Sequence, residues 1–254
     1  MTPSFASQAA CGTTPPQDAA PAGQAPAGIP YPKAIKSFVR RAGRTTAAQA
    51  KAFADQGPRF LLPYSAAPLD AATAFGREAP LILEIGFGMG EATAHIARVR
   101  PGDNFLCCEV HEPGVGALLK RIGEHGIENI RILQHDAVEV LDHMLPPGSL
   151  DGVHIFFPDP WHKKRHHKRR LVSTGFADLV AAKLAPHGRW RLATDWADYA
   201  EAMRETLDDH PRLVNCHDGW APRWQDRPRT KYEQKGGDAG RTIYDLCYRL
   251  GEGG

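Results

Sequence analysis

From Leu81 onward the chain alternates short apolar runs with amphipathic stretches, and this alternation limits the fold more than any other feature. Apolar runs bounded by turn residues and separated by helical periods are the pattern of successive βα units, whose parallel sheet is covered on both faces. Strands are expected at Leu81 to Ile85, Phe105 to Val110, Ile130 to Gln134, Val153 to Phe157 and Arg189 to Thr194. Val172, Phe176, Leu179, Val180 and Leu184 recur at helical spacing, as do Trp196, Tyr199, Ala200, Met203 and Leu207, so each set predicts a helix with one face on the sheet. Two more strand-like runs, Arg212 to Cys216 and Thr242 to Arg249, flank a segment rich in Pro, Gly and charge and predict a hairpin-like end to the sheet. The expected fold class is α/β: a mostly parallel seven-stranded sheet with helices on both faces and an antiparallel terminal strand.

The N-terminal part lacks that pattern. Of the first 28 residues, 24 are Ala, Pro, Gly, Ser, Thr or Gln, too little apolar area to offset chain entropy, which predicts a disordered tail over residues 1–32. Residues 33–59 carry seven Lys/Arg against the single acid Asp55, so residues 33–62 read as a basic arm ahead of a domain spanning 63–254. Net charge is only +2, so the cations matter by placement; a second cluster, residues 163–170, holds six Lys/Arg and no acid. No apolar run approaches the ~20 residues that span a bilayer, and no basic-then-apolar leader stands at the start. Five cysteines with no Cys-x-x-Cys spacing argue against a disulfide framework or a zinc ribbon. A cytoplasmic protein without a membrane partner is expected.

Leu81 to Gly90 reads as a buried strand running into Gly86-x-Gly88-x-Gly90 and then a helix from Glu91. Glycines permit the tight turn and close approach of a ligand. A dinucleotide site begins in the same way, with an acid about 20 residues further on for a ribose, the place Glu109 occupies. Here the spacing departs from Gly-x-Gly-x-x-Gly, and Glu84 just before the turn would repel a pyrophosphate. An acidic pocket suits S-adenosylmethionine, which has no phosphate and whose methionine end bears an ammonium and a sulfonium. Asp136 adds a third acid, and all three are expected at the carboxyl ends of adjacent strands, where such sheets bind ligands. Asp136 is also a candidate cap for the helix that follows it.

The stretch from His154 to Arg170, Phe157-Pro-Asp-Pro-Trp161 followed by the basic run, is the most informative in the chain. Pro158 and Pro160 restrict the backbone on both sides of Asp159 and hold a carboxylate at the sheet's carboxyl edge. Trp161 is placed to stack on a base and the cations after it to hold phosphates. An isolated charge run is ordinarily a solvated helix face; its position beside an acid in the expected cleft favours phosphate contact. His162 and His166 stand four apart, but surrounded by cations and without an acid they are not expected to bind a metal.

With these motifs in view, the sequence resembles the tRNA (guanine-N7)-methyltransferase family in its bacterial single-chain form. The likeness rests on Ser37-Phe-Val-Arg-Arg-Ala-Gly-Arg44, Leu83-Glu-Ile-Gly-Phe-Gly-Met-Gly90, Glu109-Val-His-Glu-Pro-Gly-Val-Gly116, Phe157-Pro-Asp-Pro-Trp-His-Lys163 and Thr230-Lys-Tyr-Glu233, and spans about Ile35 to Leu250. Cys107-Cys108 stands where other small or apolar residues are expected. The resemblance implies a Rossmann-like class I methyltransferase fold and methyl transfer from S-adenosylmethionine to N7 of guanosine 46 in the tRNA variable loop. It implies cofactor binding by Glu84, Gly86, Gly88, Gly90, Glu109, Asp136 and Asp159, with Asp159 also the catalytic position. Lys163, Asp195, Thr230, Lys231, Tyr232 and Glu233 are similar to the family's substrate contacts, and Arg165, His166, His167, Lys168, Arg169 and Arg170 to its RNA-binding stretch. Besides tRNA no obligatory partner is implied, the chain acting as a monomer or homodimer.

Guanine N7 has a free lone pair and no proton, so in-line attack needs alignment and desolvation more than a base. A fixed carboxylate can stabilise the cationic product ring and accept hydrogen bonds from guanine N1 and N2, which selects guanine over adenine. Asp159, Asp195 and Glu233 are all candidates, and Asp195 is also placed to cap a helix. Trp161 or Tyr232 is placed to stack on an extruded base, Tyr232 alternatively to pack on the terminal strands. Arg40, Arg41 and Arg44 are expected to contact phosphates. The competing classes are a dehydrogenase, which needs pyrophosphate room at the glycine turn, a non-catalytic RNA-binding module, which has no use for strand-end acids, and an exocyclic-amine RNA methyltransferase, to which Pro158-Asp-Pro-Trp161 is loosely similar.

Overall fold

β1 (Leu81–Ile85) is buried at every position, because strands flank it on both sides and helices cover both its faces. It pairs in parallel with β2 (Asn104–Cys108) and β4 (Leu150–Phe156). β3 (Ile130–Leu133) continues the sheet beyond β2, and β5 (Leu184–Thr194) beyond β4, both parallel. β7 (Tyr244–Leu250) runs antiparallel between β5 and β6 (Leu213–Asn215), so the order is β3-β2-β1-β4-β5-β7-β6. This is the mostly parallel seven-stranded sheet with an antiparallel end that the sequence predicts. The computed structural model describes residues 36–38, 43–230, 233–234, 237 and 240–251, all within the unit Tyr31–Gly254. The tail expected over 1–32, and Arg40, Arg41, Lys231 and Tyr232, lie outside the described residues.

Helices α1 (Ala47–Phe60), α3 (Glu91–Val99) and α4 (Glu112–His125) cover one face; Phe60, Ile96, Leu118 and Ile122 pack there on Ile82, Phe105 and Ile132. The short α2 (Ala71–Phe75) precedes β1. On the other face, α5 (Ala137–His143), α6 (Thr174–Lys183) and α7 (Ala197–Asp208) set Val140, Phe176, Val180 and Met203 against Leu83, Val153, Ile155 and Leu192. Each such side chain, fully buried, contributes roughly 1.5–3 kcal/mol relative to exposure. Among the described residues no helix is long and apolar enough to cross a membrane.

Two elements depart from expectation. Residues 47–60, expected within a basic arm, form α1 and pack on α4. The Gln49 N–H donates to the Thr46 hydroxyl while the Gln49 side chain accepts from the Thr46 N–H, a capping box. Gln49 Nε2 then donates to the Pro113 carbonyl at 2.9 Å, tying α1 to the start of α4. β5 begins at Leu184, expected as the end of the preceding helix. Pro186, without an amide donor, accompanies a register shift between Leu150 and Gly152 of β4, which hides the early part of the strand.

Candidate active site

At the end of β1 the chain turns through Gly86, Gly88 and Gly90 at φ of 74°, 55° and 69°, left-handed values that favour glycine. Beyond this turn, at the carboxyl edge of the sheet, lies a cavity of about 210 Å³ whose lining includes Gly86, Glu109, Asp136, Phe157 and Asp159. Four of the predicted cofactor-side residues thus meet, each from the end of a different strand, as expected where parallel strands end. No Lys or Arg lines this cavity among the described residues.

Glu109, just past β2, accepts three backbone hydrogen bonds: Oε2 from Gly88 at 2.9 Å, and Oε1 from Val110 and His111 at 2.7 and 3.0 Å. It fixes the glycine turn, and a carboxylate with about four acceptor positions keeps capacity for a further donor. Asp136 does two things at once. Its Oδ1 caps α5 by accepting from Val138 N–H at 3.1 Å, while Oδ2 lies 3.8 Å from Lys36 Nζ. Glu84 lies outside the cavity lining, 3% exposed. Its Oε1 accepts from Thr93 Oγ1 at 3.0 Å and its Oε2 is buried with no partner among the described residues. Burial pushes the Glu84 carboxyl up to about 7, the Thr93 hydroxyl holding it back and the Glu109 charge adding to it.

After β4, Phe157 and Trp161 take left-handed φ values of 53° and 47°, rare for bulky side chains and costing of order 1–3 kcal/mol each. The Phe157 N–H is anchored to the Ala193 carbonyl at 2.7 Å. The bracketing prolines then carry Asp159 to the exposed rim, where it has no hydrogen-bond or ion-pair partner among the described residues. Trp161 is not a bare platform. Its Nε1 donates to the Ser37 carbonyl at 3.1 Å, and the Arg169 guanidinium lies 5.2 Å from its ring centroid.

Lys164–Arg169 form a 3-10 helix. Lys163, Lys164, Arg165 and Lys168 are exposed, His166, His167 and Arg169 half-buried. Arg170 turns inward: it pairs with Asp198, donates to the Pro160 carbonyl at 3.0 Å and covers the Tyr199 ring at 4.7 Å, which steadies the corner before the basic run. Asp195 does not cap α7. Trp196 is the cap residue and donates its N–H to Thr194 Oγ1 at 3.2 Å, leaving Asp195 to pair with Arg241 Nη1 at 2.6 Å.

The Glu233 N–H donates to Thr230 Oγ1 at 3.2 Å. The buried Glu233 carboxylate accepts from Arg223 Nε at 2.7 Å, Arg223 Nη2 at 3.1 Å and Arg227 Nη1 at 3.3 Å. Arg227 is fully buried and also donates Nη2 to both Asp245 oxygens, at 2.9 and 2.8 Å. Sequence reasoning missed Arg223 and Arg227, which lie in a Pro- and Arg-rich segment with no period to reveal an inward face.

The family model described as "Putative methyltransferase" matches residues 78–246. The tRNA (guanine-N(7)-)-methyltransferase of Acidovorax sp. (strain JS42) is 66% identical, over 89% of this chain and 90% of that protein. The protein of the same name from Paracidovorax citrulli is 64% identical over 94% of this chain and 96% of that protein, and the one from Cupriavidus necator 56% identical over 93% and 95%. Among solved structures, the 16S rRNA methyltransferase KamB is similar in fold, with a TM-score of 0.52 at 12% identity over 72% of this chain and 94% of that one. On identity of this extent across nearly the whole chain, the protein belongs to the family of the tRNA (guanine-N(7)-)-methyltransferases.

Proposed function

We propose that this chain transfers a methyl group from S-adenosylmethionine to N7 of the guanine at position 46 of the tRNA variable loop, with Asp159 as the carboxylate that meets the base. One observation carries the assignment of Asp159: of the three candidate carboxylates for the base, it alone has no partner among the described residues. Asp195 is held by Arg241 and Glu233 by Arg223 and Arg227.

When bound, S-adenosylmethionine supplies a methyl group on a sulfonium, already electrophilic. The residues present fit such a cation: three carboxylates, Glu109, Asp136 and Asp159, line the cavity, and the buried Oε2 of Glu84, two residues before Gly86, lacks a partner among the described residues. Glu109 and Asp136 keep acceptor capacity for hydroxyl and amine donors. On the substrate side, Asp159 accepts hydrogen bonds from guanine N1 and N2 and offsets the positive charge that grows on the ring. Phe157 and Pro158 exclude water beside it. No base is needed, since N7 carries no proton.

Lys163 and the cations of Arg165 to Arg169 hold phosphates of the tRNA, and Arg170 supports them by fixing the Pro160 corner. Thr230, Lys231, Tyr232 and Glu233 serve the substrate, as the family resemblance implies. The chain works in the cytoplasm, with tRNA as its partner and no obligatory protein subunit, as a monomer or homodimer. The test is transfer of labelled methyl from S-adenosylmethionine to unmodified tRNA, by wild type and Asp159→Ala, with the product nucleoside identified and its position mapped by reduction and strand cleavage. The expected result is 7-methylguanosine at position 46, lost by a factor of at least ~100 in kcat for the variant. Methylation at an exocyclic amine, at another position, or undiminished in Asp159→Ala overturns the corresponding part of the reading.

A further inference from the structure

On the opposite edge of the sheet, near the starts of β2 and β3, the chain walls a second cavity of about 430 Å³. Arg59, Arg77, Arg98 and Arg131 line it together with His125 and one acid, Glu128. That acid is already taken: Arg59 engages both its oxygens, Nη1 to Oε1 at 3.1 Å and Nη2 to Oε2. The other three guanidiniums have no carboxylate within ion-pair distance among the described residues.

Arg131 carries the argument furthest. It is 7% exposed, and its guanidinium lies 5.4 Å from the Phe60 and 5.1 Å from the Phe75 ring centroid. Nε donates to the Ala74 carbonyl at 2.8 Å, and Nη1 to the Glu128 and Ile130 carbonyls at 3.0 and 2.7 Å, which leaves Nη2 without a protein acceptor among the described residues. Burial, with the Arg59 charge adding, holds the guanidinium below its ordinary pKa. Among the described residues Arg77 donates only to neutral acceptors, the Asn104 Oδ1 at 2.8 Å and the Asp103 carbonyl at 2.7 Å. Arg98 is exposed and has no partner among the described residues. Converging cations of this kind are costly unless an anion joins them. Guanidinium forks match the paired oxygens of a phosphate.

We propose that this cleft is a phosphate-binding site in which Arg77, Arg98 and Arg131 hold a phosphate group, separated from the methyl-transfer centre by the length of the strands, roughly 16 Å. The phosphate has two sources, the backbone of an RNA or a free pyrophosphate-like anion. Only the RNA source rests on the tRNA reading above.

The experiment compares wild type with Arg77→Ala/Arg98→Ala, whose two side chains lie outside the methyl-transfer cavity, and with Lys164→Ala/Lys168→Ala as a control for the other basic cluster. Inorganic pyrophosphate is titrated by calorimetry, and unmodified tRNA by filter binding over a salt series. Loss of affinity of about tenfold or more for pyrophosphate alone in the Arg77/Arg98 variant assigns the site to free anions. Loss of tRNA affinity, with a salt slope shallower by about 0.7–0.9 per contact removed, assigns it to the RNA backbone whether or not pyrophosphate binds. Unchanged affinities for both ligands, or pyrophosphate binding abolished only in the Lys164/Lys168 variant with tRNA binding unchanged in the Arg77/Arg98 variant, overturn the proposal. Arg98→Glu, at a side chain with no partner to lose, gives the same losses if the fold of the double variant is in question. Methyl transfer at saturating tRNA stays unchanged in Arg77→Ala/Arg98→Ala, so failure here is distinct from failure of the methyl-transfer reading.

Discussion

Gly114 of α4 lies so close to the Gly88 carbonyl that a Cβ built on it would stand 2.3 Å from that oxygen. The helix therefore abuts the glycine turn directly, and the turn is also held from below by Glu109 through the Gly88 N–H. In Gly114→Ala the neighbouring atom is backbone and cannot swing away, so the turn shifts off α4. The expected cost is about 1–3 kcal/mol of folding stability by urea denaturation, with weaker S-adenosylmethionine binding by calorimetry. Cofactor affinity equal to wild type would show that the turn tolerates the displacement.

Glu84 builds a pH dependence into the fold. Its carboxyl stands near 7 in the folded chain against an ordinary 4.5. Between those values the folded chain keeps a proton that the unfolded chain has released, so stability is lost as pH rises from about 4.5 to about 7 and then levels off. The loss is on the order of 3 kcal/mol. Glu84→Gln keeps an acceptor for Thr93 and removes the titration. Its stability is expected to be flatter across that window and to exceed that of wild type at pH 8 under urea denaturation. Since a cationic ligand favours the ionised carboxylate, wild-type affinity for S-adenosylmethionine should rise with pH through 7 while that of the variant should not. Parallel stability curves for the two proteins would remove Glu84 as the cause.

The parts legible in the sequence were those set by local chemistry. Glycine spacing, apolar runs and the Pro-Asp-Pro segment placed Gly86, Glu109, Asp136 and Asp159 at successive strand ends, because each signal lies within a few residues of the position it fixes. Other features depend on partners remote in sequence. α1 is held through Gln49 and Pro113, 64 residues apart, and its few buried apolar residues make no visible stripe. Arg170 reads as one more cation of a basic run until folding brings Asp198 and Tyr199 to it. Asp195 looked like a helix cap because it precedes α7, yet Thr194 accepts the Trp196 N–H and Arg241 takes the carboxylate.

That contrast separates two members of the same run. Arg170→Ala removes an ion pair, a carbonyl contact and the cover of a buried tyrosine, so it is expected to cost about 1–3 kcal/mol of stability. Lys168, exposed, has no such partners among the described residues. Lys168→Ala should leave the denaturation midpoint within about 0.5 kcal/mol of wild type and lower the salt slope of tRNA binding by about 0.7–0.9. Equal stability for the two variants would contradict the inward role of Arg170.

Arg227 joins Glu233 to the sheet. Its guanidinium is fully buried, bridges Glu233 to Asp245 of β7, and lies 5.3 Å from the centroid of the Phe157 ring next to Pro158. Burial raises the Asp245 carboxyl and the Arg227 charge opposes that, so removal of the arginine leaves Asp245 to protonate or stay unpaired, while Glu233 keeps Arg223. Arg227→Met, similar in length and apolar, is expected to cost about 3–5 kcal/mol, because breaking a buried pair costs more than the pair contributes. Asp245→Asn keeps an acceptor for Arg227 and should cost less. Because Asp245 is not among the residues that line the cavity, that milder variant also reports on positioning: KM for tRNA is expected to rise with cofactor affinity unchanged. A fall in cofactor affinity with KM unchanged would place the Arg227 network on the cofactor side instead.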